Sequence, residues 1–249
     1  MFLQVQDINK SYKRYGIRKK QQILKKINFS IREGECVGLI GESGSGKSTL
    51  SRLILGLEKP DSGNILIDGQ SVKKWINKNR GKMSVVFQDY TSSVNPNFTV
   101  KEIICEPLKA LGKKDNLNKL TEDLLNKVGL TIDLLDRYPH ELSGGQLQRI
   151  CIARAISTNP KFIILDESIS SLDVSMQAQV LKLLNDLKCE LNITYLFIAH
   201  DLQAVTYLCD RIIFLYRGEV VENIHSLNLS YVKNSYAKKL LSSVIPFNI

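Results

Sequence analysis

The sequence predicts one α/β domain with both parallel and antiparallel strands, and three observations predict it. Two short, continuous apolar runs, CVGLIG (36–41) and KFIILDE (161–167), have the pattern of strands buried on both faces. Two others, FLQVQDINKSY (2–12) and ILKKINFSI (23–31), alternate apolar with polar residues and suit antiparallel strands. Between residues 98 and 130 the period turns helical, with Leu120, Leu124, Leu125 and Val128 on one stripe that ordinary core packing also explains.

The remaining elements follow in order. CVGLI runs into GESGSGKST (41–49) and then the helix-like TLSRLILGL, while NILIDG (64–69) reads as a strand closing on a turn. SVVFQ (84–88) and TYLFIAH (194–200) repeat the buried-strand pattern. YPHELSGGQLQRICIARAI (138–156) opens a second helix on glycines, and RIIFLYRGEVVEN (211–223) gives two short strands around Arg217-Gly218. A polar segment then leads to a final helix around 236–243. With no repeat of 20–50 residues and no low-complexity linker, the 249 residues are expected to form one domain.

Composition narrows the function classes. At 43% hydrophobic and 24% charged residues the chain is ordinary for a globular protein. It has no apolar run near the ~20 residues of a membrane helix and no signal-peptide layout at its start, so a cytoplasmic location is expected. The five cysteines (Cys36, Cys105, Cys151, Cys189, Cys209) form no CxxC pair and are expected to be reduced structural thiols. Net charge is +9, and ten Lys/Arg stand against four Asp/Glu in residues 1–50. That excess suits a solvated basic face or a surface near anionic lipid or a membrane protein; without aromatic residues interleaved for base stacking, a nucleic-acid patch fits less well.

Two acid- and phosphate-related motifs carry the chemistry. GESGSGKS fits G-x-x-x-x-G-K-[ST] between a strand and a helix. Gly41, Gly44 and Gly46 let the backbone of Gly41, Glu42, Ser43, Gly44, Ser45 and Gly46 turn its N–H groups toward phosphates. Lys47 adds a positive charge, Ser48 is placed to ligate Mg²⁺, and Thr49 continues the helix start. FIILDE delivers Asp166 and Glu167 at the C-terminal end of a strand, where α/β sheets place ligands. Asp166 suits the Mg²⁺ shell and Glu167 suits orienting or deprotonating a water. A strand ending in two acids is often only a strand and a turn; the phosphate loop makes the pair specific. Gln88 and His200 also end strands, where most such residues are structural, and both gain weight only from the company they keep. The second glycine-rich start, Ser143-Gly144-Gly145-Gln146, has no lysine and reads equally as a serine N-cap and as a helix start for an anion.

With these residues in order, the chain resembles an ATP-binding cassette (ABC) transporter ATPase over essentially its whole length. The resemblance identifies GESGSGKST as the phosphate loop, Gln88 as the Q-loop, LSGGQ (142–146) as the signature, FIILDE as the Walker B strand, SLD (171–173, ending at Asp173) as the D-loop and His200 as the switch. Tyr12 stands where an aromatic residue stacks on adenine, with Tyr15 as the alternative. It implies a P-loop NTPase fold of the ABC type, with a mixed sheet core, an antiparallel β subdomain, an inserted helical subdomain at about 92–155 and a short tail at about 226–249. It implies ATP and Mg²⁺ as cofactors, with Ser48, Gln88 and Asp166 as metal ligands and Glu167, Gln88 and His200 as catalytic residues. It also implies that Ser143, Gly144, Gly145, Gln146 and Asp173 complete the ATP site of a facing subunit.

VVFQDYTSSVNPNFTVKEIICEPL, RYPHELSGGQLQRICIARA and SYAKKLLSSVIP resemble the peptide and nickel importer branch. That branch implies a second ATPase subunit (self or paralogue), two membrane permease subunits, an external substrate-binding protein and a place on the cytoplasmic face of the membrane, with no nucleic acid. Ser168 stands where most peptide importers have proline, and the chain stops just past Pro246 without a long Cys-containing extension. Both features lean toward nickel or a metal chelate over peptides. The competing reading is a non-transport ABC ATPase acting on nucleic acid or the ribosome.

Overall fold

The computed structural model describes residues 1–13, 20–113, 115–167 and 173–242. Tyr15, Ser168, the first two residues of the SLD turn and the chain end from residue 243, including Pro246, lie outside the described residues.

In chain order the first elements are β1 (Leu3–Lys13), β2 (Lys20–Ile31), β3 (Cys36–Ile40), α1 (Lys47–Ile54), β4 (Ser62–Ile67), β5 (Gln70–Ser71) and α2 (Val72–Lys78). They are followed by β6 (Met83–Val86), α3 (Val100–Ala110), α4 (Leu117–Lys127), α5 (Gly144–Ile156), β7 (Phe162–Asp166) and α6 (Val174–Leu191). The last are β8 (Thr194–Ala199), α7 (Leu202–Leu208), β9 (Arg211–Tyr216), β10 (Glu219–His225) and α8 (Ser235–Ser242). These elements gather into two compact units, residues 1–78 with 194–249, and residues 79–193.

In the first unit, β2, β1, β4 and β5 lie side by side in an antiparallel sheet. Its alternation matches the sequence: Leu3, Val5 and Ile8 are buried while Gln6 and Asp7 are exposed. β3 runs parallel to both β8 and β9, and β9 turns back antiparallel into β10. Every residue of β3 and β8 is buried, which is why these strands read as continuous apolar runs. Arg217 and Gly218 both have positive φ, 47° and 81°, as a two-residue hairpin turn of this hand requires.

In the second unit β6 and β7 pair in parallel, and α3, α4 and α5 pack on one another. The helical stretch expected over 98–130 is two helices. It breaks after Leu111 at Gly112, whose φ of 76° a helix does not tolerate. Leu124, Leu125 and Val128 are buried as the stripe requires, while Leu120 is half-buried. α3 begins on a capping box: Thr99 Oγ1 accepts from the Glu102 amide, and Glu102 accepts from the Thr99 amide at 2.9 Å. Sequence reasoning omitted α2, α6 and α7. The omission of α6 was avoidable, because Val180, Leu181, Leu184 and Leu187 are buried at helical spacing behind Asp173, whose Oδ1 caps the Met176 amide at 2.9 Å.

Candidate functional site

The phosphate loop lies at the C-terminal end of β3, and its geometry follows from its glycines. A Cβ on Gly41 would stand 2.2 Å from the Leu215 carbonyl oxygen and 2.7 Å from Ser45 Oγ, so only glycine fits there. Gly46 holds φ 110° and directly precedes α1, whose N-terminus has no side-chain cap and no acidic residue in its first turn. The amides opening α1 therefore have no acceptor from a capping side chain, the arrangement that favours an anion. Lys47 is buried, and its ammonium donates to the carbonyls of Gly41 at 2.6 Å and Glu42 at 3.2 Å. Ser45 is buried and its hydroxyl has no hydrogen-bond partner among the described residues, while Ser48 and the outer residues Glu42, Ser43 and Gly44 are exposed. An uncapped helix start, an orphaned buried hydroxyl and a lysine at the loop fit a nucleotide phosphate, and the exposed Ser48 hydroxyl is an oxygen donor of the kind Mg²⁺ takes.

The same unit places two further candidates. Ile40 pairs with Ala199, so His200 leaves β8 at the level where Gly41 leaves β3. β3 and β8 are therefore neighbours, and the strand end that carries His200 lies beside the loop. Tyr12 lies near the end of β1, and its hydroxyl donates to Glu58 Oε2 at 2.5 Å. The Lys10 ammonium stands 5.2 Å from its ring centroid and 3.5 Å from Glu58. Burial first and the Glu58 carboxylate second push the Tyr12 phenol above its ordinary value, and the Tyr12 bond in turn draws Glu58 down. Tyr12 is thus neutral at pH 7, with its hydroxyl anchored. Glu58, which orients this ring, was not singled out in the sequence; its only sequence signal is a carboxylate after the α1 helix.

In the second unit Val86 pairs with Leu165, which sends Phe87-Gln88 and Asp166-Glu167 out of the same edge of β6 and β7. Gln88 is exposed, and Glu167 holds φ 47°. A left-handed glutamate directly after a strand costs of order 1 kcal/mol or more, and such strain concentrates where a side chain must be aimed.

The second glycine-rich start is in the same unit. Ser143 Oγ accepts from the Gln146 amide at 3.2 Å, and Gln146 Oε1 accepts from the Ser143 amide at 2.9 Å, a full capping box. The serine N-cap reading therefore holds. Ser143 and Gly144 are nonetheless exposed, whereas Gly145 is buried and a Cβ on it would meet Met176 Cε at 1.5 Å. The arginines farther along α5 point elsewhere: Arg149 donates to the Val128 carbonyl and Gln179, and Arg154 donates to the Ser93 carbonyl. Any anion bound at this start would meet the helix end and Ser143. Asp173 serves as the N-cap of α6.

Sequence reasoning also missed one support of the phosphate loop. The Gly218 amide donates to the Ser45 carbonyl at 3.1 Å, and a Cβ on Gly218 would stand 2.1 Å from the Ile23 carbonyl oxygen. The turn glycine was legible as a turn; its service to residues 41–49 was not.

Comparisons with known proteins find relatives along the whole chain. The family model described as ABC transporter matches residues 24–170. The metal-staphylopine import system ATP-binding protein CntF of Staphylococcus aureus is 43% identical, over 98% of this chain and 100% of that protein. A putative oligopeptide transport ATP-binding protein of Bacillus subtilis, YkfD, is 46% identical over 88% of this chain and 69% of that protein. Among solved structures, the dimeric post-hydrolysis state of the ATP-binding cassette MJ0796 bound to ADP and Pi superposes with a TM-score of 0.78 at 31% identity, covering 90% of this chain and 98% of that one. CbiO1 of Clostridium perfringens, part of the ABC transporter complex cbiONQ, superposes with a TM-score of 0.79 at 30% identity, over 98% and 95% of the two chains. A phosphate loop on a parallel strand, an exposed signature helix start and full-length likeness to such cassettes lead to one conclusion: the chain belongs to the ABC transporter family, as an ATP-binding subunit that hydrolyses ATP with Mg²⁺ as cofactor.

Proposed function

We propose that the ATP hydrolysed by this importer subunit drives uptake of a metal chelate, through two membrane permease subunits fed by an external substrate-binding protein. The subunit would be peripheral at the cytoplasmic face; no helix among the described residues is long and apolar enough to cross a membrane. The metal lean rests on Ser168 and on CntF, a metal-staphylopine import protein, as a relative matched along its whole length. Peptides are the rival cargo, carried by name in the oligopeptide relative YkfD. The relatives give no support to a non-transport ATPase acting on nucleic acid or the ribosome. Deleting the gene is expected to lower transition-metal accumulation when metal is scarce. Unchanged metal content with lost growth on peptides as nitrogen source would assign the cargo to peptides.

The residue roles follow from chemistry, unit by unit, within one ATPase domain whose residues 92–155 form the helical signature part. In the first unit the loop of residues 41–49 holds the phosphates, except that the Glu42 amide, expected to face them, donates instead to the Tyr236 hydroxyl; Ser48 offers Mg²⁺ a hydroxyl, Tyr12 packs against the adenine and His200 meets the terminal phosphate edge. In the second, Asp166 and Gln88 are oxygen donors of the kind Mg²⁺ takes, and Glu167 orients the attacking water. Bound Mg²⁺ neutralises developing phosphate charge. Ser143, Gly144, Gly145, Gln146 and Asp173 serve the nucleotide of a facing subunit.

The observation that carries this last assignment is the exposure of Ser143 and Gly144 on a helix start with no lysine of its own. Such a start grips phosphate well only when another loop has already fixed the nucleotide. Ser143→Arg is therefore expected to block ATP-driven closure over the partner's nucleotide while this chain's own loop still binds ATP. Photo-crosslinking of a nucleotide analogue to each subunit, with dimer closure followed in parallel, separates the two sites. Loss of nucleotide from residues 41–49 with normal closure would show that the signature acts within one chain.

A further inference from the structure

The phosphate loop is touched by an aromatic side chain from the far end of the sequence. Tyr236, on α8, accepts a hydrogen bond at its hydroxyl oxygen from the Glu42 amide at 2.9 Å. The peptide that supplies this N–H is the one whose carbonyl, on Gly41, accepts the Lys47 ammonium at 2.6 Å. The carbonyl of the next peptide, on Glu42, accepts from the Ser45 amide at 3.1 Å and from Lys47 at 3.2 Å. Lys47, the Gly41–Glu42 peptide and Tyr236 thus form one continuous chain of hydrogen bonds, in which each polarises the next.

The ring is as firmly placed as the hydroxyl. Tyr236 stacks on Tyr216, with centroids 4.1 Å apart and planes 29° from parallel, and the Arg217 guanidinium lies 5.1 Å from the Tyr216 centroid. Asn234 Oδ1 accepts from the Tyr236 amide at 2.9 Å, which fixes the start of α8. Burial pushes the phenol above its ordinary value, so its oxygen meets the amide as a neutral hydroxyl. Tyr216 closes β9 beside the same turn whose Gly218 amide holds the Ser45 carbonyl. Two supports from the C-terminal part of the first unit therefore grip the loop at Glu42 and at Ser45.

We infer that Tyr236 is a positioning residue for ATP, which sets the plane of the Gly41–Glu42 peptide and so holds the loop in its phosphate-binding shape. The inference rests on the reading of residues 41–49 as the phosphate loop. Without the phenol oxygen the peptide is held at its carbonyl alone, by Lys47, and binding ATP must then restore the order that Tyr236 supplies in advance. The effect belongs to nucleotide affinity and not to the water-attack step, because Tyr236 meets the loop at the Glu42 backbone amide.

The test compares Tyr236→Phe, which removes the hydroxyl and keeps the ring on Tyr216, with Tyr236→Ala and Lys47→Ala in the full chain. Titration with a fluorescent ATP analogue is expected to show Kd raised about threefold to tenfold in Tyr236→Phe, the effect of one lost hydrogen bond. KM for ATP rises with it, while kcat stays within about twofold and the melting midpoint within about 2 °C. Tyr236→Ala, which also loses the stack, weakens binding further. Unchanged or tighter nucleotide binding in Tyr236→Phe would overturn the inference, leaving Tyr236 as an anchor for α8 and nothing more. Lys47→Ala distinguishes the two levels of the reading: it must lose most nucleotide binding, and wild-type affinity there would overturn the phosphate-loop assignment itself. A readout on the wild-type chain needs no variant to fold. Amide hydrogen exchange at Glu42 is expected to be slowed at least tenfold relative to an open peptide, and free exchange there would also overturn the inference.

Discussion

Glu167→Gln keeps ATP binding within about twofold of wild type and lowers steady-state hydrolysis by about 100-fold or more, the usual range for loss of a positioned general base. The reason is the site's economy. A glutamine preserves the shape of the side chain and its capacity to accept a hydrogen bond, but has no negative charge with which to polarise water. The backbone of Glu167, with φ at 47° directly after β7, keeps the side chain's direction in either residue. Phosphate-release assays on the purified variant with its partner subunits, beside nucleotide titration, measure the two effects separately. Hydrolysis at the wild-type rate would remove Glu167 from the water-orienting role and leave it as a strand-end acid.

Gly41→Ala is the second large effect, and it acts through sterics. The added methyl would stand 2.2 Å from the Leu215 carbonyl oxygen, on the backbone of β9, and 2.7 Å from Ser45 Oγ. Neither neighbour is the loose end of a long side chain, so either the loop or the strand must move. Overpacking of this kind costs about 1–3 kcal/mol. In a chain of this size that lowers the melting midpoint by roughly 3–10 °C. Because the part displaced is the phosphate loop itself, ATP affinity is expected to fall at least tenfold, more than the stability loss would suggest. Calorimetry with and without ATP checks both, since wild type gains stability from bound nucleotide and the variant should gain little. Gly44→Ala is the internal control. Nothing lies within 4 Å of a Cβ there, so its cost is confined to the strain of φ 79°.

Residues 41–48 announced a phosphate loop because glycine spacing, lysine and serine each answer to one local requirement, and the strand–loop–helix context was visible in the same twenty residues. The pairing of Ser143 with Gln146 was legible as an N-cap for the same reason, since a capping box spans only four residues. By contrast, the stretch 98–130 reads as one helical run, although its stripe from Leu120 to Val128 belongs to α4 alone. Helical periodicity reports burial, and buried residues continue across α3 and α4 although the backbone turns at Gly112.

The sequence by itself determined the chemistry at each strand end and helix start: which residue carries charge, which lacks a Cβ, which caps an amide. Those properties are set by the side chain and its nearest neighbours along the chain. Only the tertiary structure decided which distant segments share an edge. The Ile40–Ala199 pairing puts His200 level with the phosphate loop across about 160 residues. Tyr236 reaches the Glu42 amide, and Gly218 reaches the Ser45 carbonyl, through folding of β9, β10 and α8 onto the loop. A tyrosine in an amphipathic helix carries no mark of the amide it will accept from. Such a contact depends on strand order and register, which arise from the burial of the whole core and not from any window of residues.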